Sequence, residues 1–597
     1  MANPTTTTVE TGMQRGQTAT GEPAADHRLP PSSQAEMDRA LAVLTAHKDA
    51  WAQMDIPGRI ALLDQLRRDL PATEQRALAA GMAAKGTRVD TMAESEEWYG
   101  MSVVYRQIRF LRKALQDIAR FGKPRIPGKV WTRPDGQVVA ELIPYDWKER
   151  MTLPGIHAEV WMDPSVSIKD GIPQAAFYHS REKKGQVCLL LGAGNLSGLV
   201  PADFLHKLYV EGQVVALKMN PVNEYLGPIF EDGFRALIEA GFLQILYGGA
   251  AEGTYLSNHP AVDTVHMTGS DRTFNAIMFG PGEEGKQRRQ ARRPIFTKPF
   301  SAELGNISPV IVVPGPWSPA DIRSQSARLA SWLIPNSACN CVSPRMLIYM
   351  KNWEHRQALT AGIAEFLDGV KTRKAYYPGS FELHRQFMEA HPDALQLGKP
   401  EPGHLPWTFI TDVDSAQADD ICFTREPFMS LYSQTALEAS DTVDFIRKAV
   451  EFANTRIWGT LVASIVVHPD SMKDPAVAAA VDQAIADLHY GSVVINQWGV
   501  LPHYMTITPW GGYPGSEVHD IQSGIGFVNN PLMFDRAQKS VVYAAFAPPA
   551  DPFLADKSNS YLYYRQDTRF QYDPSVGNML KALWHALTMK KAAPGTY

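Results

Sequence analysis

Between residues 186 and 267 the chain repeats one pattern: a short apolar run, a helix-length stretch, then another short apolar run. The runs are QVCLLL, QVVAL, LQILYG and AVDTVHM, separated by helical stretches near residues 199–211 and 224–240. Runs of this length suit buried strands, and connections of this length suit crossover helices. The pattern therefore predicts a parallel sheet of the kind that binds nucleotides at the C-terminal ends of its strands. A second series begins at SPVIVV (308–313) and continues through RMLIYM, a helix near 441–454, TLVASIVV and GSVVINQ. The fold class is α/β with two sheets, the first a Rossmann-type cofactor domain.

The flanks differ in character. Residues 1–33 are rich in Thr, Gly and Pro and read as a disordered tail. Residues 34–121 carry apolar positions at helical spacing, and 129–163 turn to Val, Ile and Trp, broken by Pro and an Asp135-Gly136 turn, which predicts strands or a hairpin. The basic stretch 280–293 reads as a solvated loop. Beyond residue 550, Met579, Leu580, Leu583, Trp584 and Leu587 form a helical stripe expected to pack on the protein or a sister subunit. No internal repeat is visible. The expected division is 1–33 tail, 34–302 helical region and cofactor domain, 303–512 catalytic domain, 513–549 return segment with a linking strand, and 550–597 extension.

With 597 residues and a net charge of −5, the chain can bury a large core and has no general electrostatic reason to bind nucleic acid. Its four cysteines, Cys188, Cys339, Cys341 and Cys422, are too few for a disulfide framework and lack zinc-site spacing, so a reducing cytoplasm and no metal are expected. No apolar run approaches the roughly 20 residues of a membrane span, and no secretory signal pattern is present.

Three segments carry chemistry. Gly192-Ala193-Gly194-Asn195-Leu196-Ser197 follows a strand and precedes a helix, but Ser stands where a dinucleotide fingerprint has its third glycine. Alone it supports a strand-to-helix turn at a cleft edge. Cys339 and Cys341 lie in a polar, Pro-bounded loop after a helix, where a ligand can reach a thiol. Glu303 sits in a mostly apolar segment before a buried strand; burial there would raise its proton affinity and suit it to act as a base near neutral pH. An exposed strand-end glutamate is the competing reading.

Together these segments resemble the aldehyde dehydrogenase superfamily over residues 34 to 546. The oxyanion-binding asparagine of that family corresponds to Asn195 and its cofactor-binding lysine to Lys218 in ALKMNP, 23 residues on. Thr268-Gly269-Ser270 looks like the turn that opens the helix facing the cofactor phosphates, with Phe274 where a later glycine is common. Glu303-Leu304-Gly305 looks like the base motif, with Asn306 and Ile307 replacing the more frequent Gly and Lys. Counting from Asn336 places Cys341 at the nucleophile position, although the usual Gly-Gln before it is absent, which keeps Cys339 open as the reactive thiol. Arg425-Glu426-Pro427-Phe428 resembles the Glu-x-Phe element that holds the nicotinamide ribose, and Pro509-Trp510-Gly511-Gly512-Tyr513 the aromatic-Gly-Gly marker of the catalytic domain.

The resemblance implies a cysteine-nucleophile dehydrogenase. Cys341 attacks the aldehyde, Asn195 and the Cys341 N–H hold the oxyanion, and hydride leaves to a nicotinamide held by Glu426, Phe428 and the backbone near Leu304. Glu303 then activates water against the thioester. Lys218, Gly269 and Ser270 would serve the rest of the cofactor. Pro221 stands where NAD-preferring relatives often keep a carboxylate, so NAD is expected with NADP also open. Gly194 replaces an aromatic residue before the oxyanion asparagine, which reshapes the aldehyde entrance. A homodimer or homotetramer linked through the strands near 139–163 and 540–546 is expected. The rivals are a CoA-acylating dehydrogenase on the same fold and a catalytically silent relative.

Overall fold

The structure, a computed structural model, describes residues 29–592. Its strands run β1 Val130–Thr132, β2 Val138–Ile143, β3 His157–Met162, β4 Val187–Leu191, β5 Val214–Lys218, β6 Leu243–Leu246, β7 Thr264–Gly269 and β8 Phe300–Leu304. They continue with β9 Ser308–Val312, β10 Pro344–Met350, β11 Arg373–Lys374, β12 Leu395–Leu397, β13 His404–Leu405, β14 Trp407–Val413 and β15 Leu431–Leu437. The last are β16 Val462–Val466, β17 Ser492–Ile495, β18 Gly524–Ile525 and β19 Ala537–Tyr543.

The smaller main sheet has the order β18-β8-β7-β4-β5-β6. Counted in chain order, its five parallel strands lie 3-2-1-4-5, so the winding reverses between β4 and β7, and a crevice opens at their C-terminal ends. Every residue of β4 and β5 is buried, as expected of strands covered on both faces by helices. The helix Leu199–Tyr209 covers one face, and Trp51 of the N-terminal helix Gln34–Gln53 donates its indole N–H to Leu208 O at 3.1 Å.

The larger sheet has eleven strands, β1-β2-β3-β19-β17-β16-β9-β10-β15-β14-β12, and β11 pairs separately with β13. The strands that the resemblance assigns to subunit linkage join this sheet within the chain: β3 runs antiparallel to β19, which runs parallel to β17. The chain passes between the main sheets after Leu304. Asn306 fastens that passage by donating from Nδ2 to Val462 O at 2.8 Å and to Ser308 Oγ at 2.9 Å. Glu303 thus lies on the smaller sheet, not at the head of the larger one as the boundary at 303 implied.

Other expectations are also corrected. The basic stretch contains a helix, Gly282–Gln290, because Glu283 and Glu284 fall in its first turn and Arg288 and Arg289 in its last, each complementing the helix dipole. The helix expected near 224–240 is broken at Phe234, which is buried between two shorter segments. Residues 29–33 of the expected tail are held: Ser32 N donates to Tyr247 O at 3.1 Å, and Ser33 caps the first helix. The rest of that tail lies outside the described residues. The extension stripe is split, because the helix Val576–Leu587 turns Met579 and Ala582 inward while Leu580, Trp584 and Leu587 face solvent.

Candidate active site

The helix Pro319–Leu333 delivers the chain to a turn in which Asn336, Ser337 and Ala338 all adopt left-handed backbone, with φ of 58°, 55° and 60°. Non-glycine residues in that region cost of order 1–3 kcal/mol each and persist only when surroundings impose them. Asn336 Nδ2 donates to Asn195 O and Cys339 O, both at 3.0 Å. The buried Arg345 guanidinium donates to Ala338 O and to Met429 O, the latter at 2.7 Å, and so ties this loop to the one carrying Glu426. The turn sends the two thiols in different directions. Cys339 is buried, with Sγ against Phe428 O at 3.6 Å, whereas Cys341 is partly exposed, with Sγ 3.4 Å from Glu303 Oε1.

Burial pushes the Cys341 thiol well above its ordinary range, and the carboxylates of Glu303 and Glu426 push it further. Burial also raises Glu303, opposed by the nearby Trp510 indole and by the thiol itself. The indole is close enough to favour the ionised carboxylate without the alignment of a hydrogen bond, and Glu303 Oε2 is otherwise unpartnered. A buried thiol facing a buried carboxylate favours one shared proton and one charge, so Glu303 is suited to receive the Cys341 proton. Cys339 is pushed up to about 12 by burial, and its sulfur lies against the backbone carbonyls of Ser337 and Phe428. Asn195 follows β4 and gives one amide N–H to Cys339 O at 3.0 Å. An amide has two such donors, and Asn195 also lines the cavity above Cys341.

Glu426 lies beyond the thiol. Asn306 N donates to its Oε1 at 3.1 Å, and burial pushes its carboxyl up to about 7. A Cβ added to Gly305 would fall 2.0 Å from Glu426 Oε2, so this approach requires glycine. Phe428 packs edge-on to Tyr377 at 4.8 Å. Leu304 is buried, its N–H donating to Ser523 O at 2.9 Å. Lys218 ends β5 and Gly269 ends β7; Ser270 caps the helix Asp271–Phe279 by accepting from Thr273 N at 3.3 Å. These three lie along the C-terminal edge of the smaller sheet, apart from the cavity over Cys341. Phe274 is core, packed on Phe300, and Gly194 is explained by Asn220, whose Oδ1 would lie 2.7 Å from an added Cβ.

An apolar cavity rises from Cys341. Tyr99, Trp498, His503 and Trp510 line it, and Tyr99 OH is 2.7 Å from His503 Nδ1. Sequence reasoning did not single out Tyr99, Trp498 or His503, which no local pattern marks; Arg345 ends the Val-Ser-Pro-Arg run that follows Cys341 in the resemblance. Elsewhere His391, Asp420 and Cys422 bring three potential ligand atoms within 4.8 Å, a cluster in which Asp420 Oδ1 accepts from Cys422 N at 2.8 Å and lies 3.1 Å from His391 Nε2.

The aldehyde dehydrogenase family model matches residues 195–374, the segment that carries Asn195, Lys218, Glu303 and Cys341. Over that segment the chain is similar to the aldehyde dehydrogenase family. Among its relatives is a 4-trimethylaminobutyraldehyde dehydrogenase of Oryzias latipes, 24% identical over 362 residues, which cover 57% of this chain and 65% of that protein. A putative aldehyde dehydrogenase of Staphylococcus aureus (strain MSSA476) is 24% identical over 494 residues, covering 76% and 90%. In fold the chain is similar to an aldehyde dehydrogenase C mutant from Pseudomonas syringae in complex with NAD+ and octanal, with a TM-score of 0.58 at 16% identity, covering 87% of this chain and 91% of that one. It is also similar to an NADP-dependent glyceraldehyde-3-phosphate dehydrogenase from Bacillus halodurans C-125 in complex with NADP, with a TM-score of 0.54 at 17% identity, covering 86% and 92%.

Proposed function

We propose that this chain oxidises an aldehyde to a carboxylic acid with NAD or NADP, through a covalent adduct on Cys341. The observation that carries the proposal is the Cys341 thiol 3.4 Å from the buried Glu303 carboxylate at the floor of an apolar cavity. Glu303 takes the thiol proton, and the thiolate attacks the aldehyde carbon. The second amide N–H of Asn195 and the Cys341 backbone N–H are suited to the resulting oxyanion; losing one such donor typically costs about 2.7–4 kcal/mol. Once its proton has passed to solvent, Glu303 activates the water that cleaves the Cys341 thioester.

The crevice has the donors and acceptors a dinucleotide needs. The N-terminus of the helix Asp271–Phe279 and the Lys218 ammonium suit phosphates and the adenosine ribose, and the Glu426 carboxylate beside Gly305 suits the nicotinamide ribose. When bound, the nicotinamide supplies the hydride acceptor. Pro221 offers no carboxylate to repel a 2′-phosphate, so both cofactors fit the proposal, with NAD preferred.

The surrounding features agree with an enzyme of a reducing compartment: all four cysteines are free, and among the described residues no helix is long and apolar enough to cross a membrane. We extend the proposal to a homodimer or homotetramer in the cytoplasm. The test is the absorbance of reduced cofactor on mixing enzyme, NAD or NADP and a panel of aldehydes, with and without CoA. Reduction without CoA, abolished in Cys341→Ala, is expected; turnover only with CoA would replace hydrolysis by acyl transfer to a thiol, and no reduction with any aldehyde would remove the catalytic reading.

A further inference from the structure

The cavity over Cys341 is closed on one side by a part of the chain beyond the two sheets. Phe553 and Tyr564, both from the C-terminal extension, line it together with Tyr99, Trp498 and Trp510. We propose that the extension is the substrate-selecting wall of the aldehyde pocket, and that the pocket takes an uncharged aldehyde with a bulky apolar body. The proposal rests on the dehydrogenase reading given above.

The wall is fixed in place. Arg328, fully buried, donates to Asp551 Oδ2 at 2.9 Å and to Phe546 O at 2.6 Å, just before the pocket-lining residues. Ala555 N donates to Ser331 Oγ at 2.9 Å just after them. The helix Ser560–Tyr572 is pinned to the long helix Met92–Phe121 through Thr568 Oγ1 to Trp98 O at 3.1 Å, and to the catalytic segment through Tyr504 OH to Asp567 Oδ2 at 2.6 Å. Phe553 stands edge-on to Trp498 at 5.7 Å. Groups held in this way are preorganised, and their contacts with a ligand carry little ordering cost.

The electrostatics of the lining decide the class of substrate. Glu96, on the wall above Cys341, is tied to both terminal guanidinium nitrogens of Arg373. His503 is pushed down to about 4 by burial, so it is neutral at working pH, and it faces Tyr99 OH. Ser95 Oγ lies 2.9 Å from Ser560 Oγ. Ser95, Glu96, Tyr99 and His503 each therefore have a polar partner, and the surface they leave is largely aromatic and aliphatic. A charged group on the aldehyde would lose its hydration there without gaining a partner, whereas an apolar body would be buried favourably.

The experiment compares kcat/KM for octanal, acetaldehyde and succinic semialdehyde in wild type and Phe553→Ala, with binding of the inert amides octanamide and succinamate followed by tryptophan fluorescence. Expected results are octanal favoured over succinic semialdehyde by more than about tenfold, and an octanal-to-acetaldehyde ratio lowered roughly tenfold in Phe553→Ala. Octanamide should bind and succinamate should not. Phe553→Leu, which keeps an apolar side chain in the wall, should restore much of the ratio, and melting curves separate this effect from misfolding. A preference for succinic semialdehyde, or an octanal-to-acetaldehyde ratio unchanged in Phe553→Ala, overturns the proposal while leaving the dehydrogenase reading intact. Octanamide binding that weakens in Phe553→Ala, in an enzyme that oxidises none of the aldehydes, keeps the wall and removes the dehydrogenase reading; absence of octanamide binding removes the wall.

Discussion

Replacing Glu426 by glutamine keeps the shape of the side chain and removes the charge that its surroundings resist. Burial raises this carboxyl from an ordinary 4.5 to about 7, while Arg345 and the Asn306 N–H pull in the opposite direction and are outweighed. A folded-state value above the unfolded one contributes stability that is complete below pH 4.5 and is lost as pH rises through about 7. A separation of about 2.5 units, at about 1.36 kcal/mol each, gives about 3 kcal/mol that wild type loses between pH 4.5 and pH 8 on account of this residue. Glu426→Gln does not lose it. Melting temperatures of the cofactor-free proteins, taken from pH 5 to pH 8.5, should therefore diverge, the variant gaining on wild type by several degrees with most of the change between pH 5 and 7 and little above pH 8. Glu303 titrates in both proteins, so its contribution largely cancels in the difference. Parallel curves would refute the reasoning, because they would mean that Glu426 is hydrated and titrates as an ordinary carboxylate.

Other outcomes follow from the same geometry. Peptide mapping after brief alkylation should find Cys341 modified and Cys188, Cys339 and Cys422 spared, because only the first is exposed; its labelling rate should rise steeply at alkaline pH, since its thiol is raised. Gly305→Ala places a methyl group 2.0 Å from Glu426 Oε2, so cofactor titration should show affinity falling by about tenfold or more. Arg328→Met leaves Asp551 buried without its partner, at a typical cost of about 3–5 kcal/mol, and should appear as a lowered melting temperature with new proteolytic cleavage after residue 546.

The parts of the fold legible in the sequence were those with local signals. Strands such as β4 and β5 announce themselves as unbroken apolar runs because helices cover both their faces. The helix Gly282–Gln290 was hidden because it has little apolar face; end charges, not burial, stabilise it. The stripe on the helix Val576–Leu587 misled because spacing reports that residues share a helix face, not which side of a broad apolar arc meets the neighbour. In the site, Cys341 and Glu303 stood in recognisable segments, but their 3.4 Å approach depends on a left-handed turn that no residue type there advertises. Tyr99 meets Trp498 and Phe553 from hundreds of residues away, so local sequence patterns carry no trace of the wall they build.

The central claim is that Cys341 holds the acyl group and Glu303 brings water to it. Its most direct test is the intact mass and peptide map of Glu303→Gln after mixing with NAD and an oxidisable aldehyde, alongside the time course of cofactor reduction. The account predicts a burst of reduced cofactor that is itself slowed, because glutamine cannot take the thiol proton, then still slower turnover, and an acyl mass increment on Cys341. Steady turnover at the wild-type rate without an acyl increment, or an increment on Cys339, would contradict it.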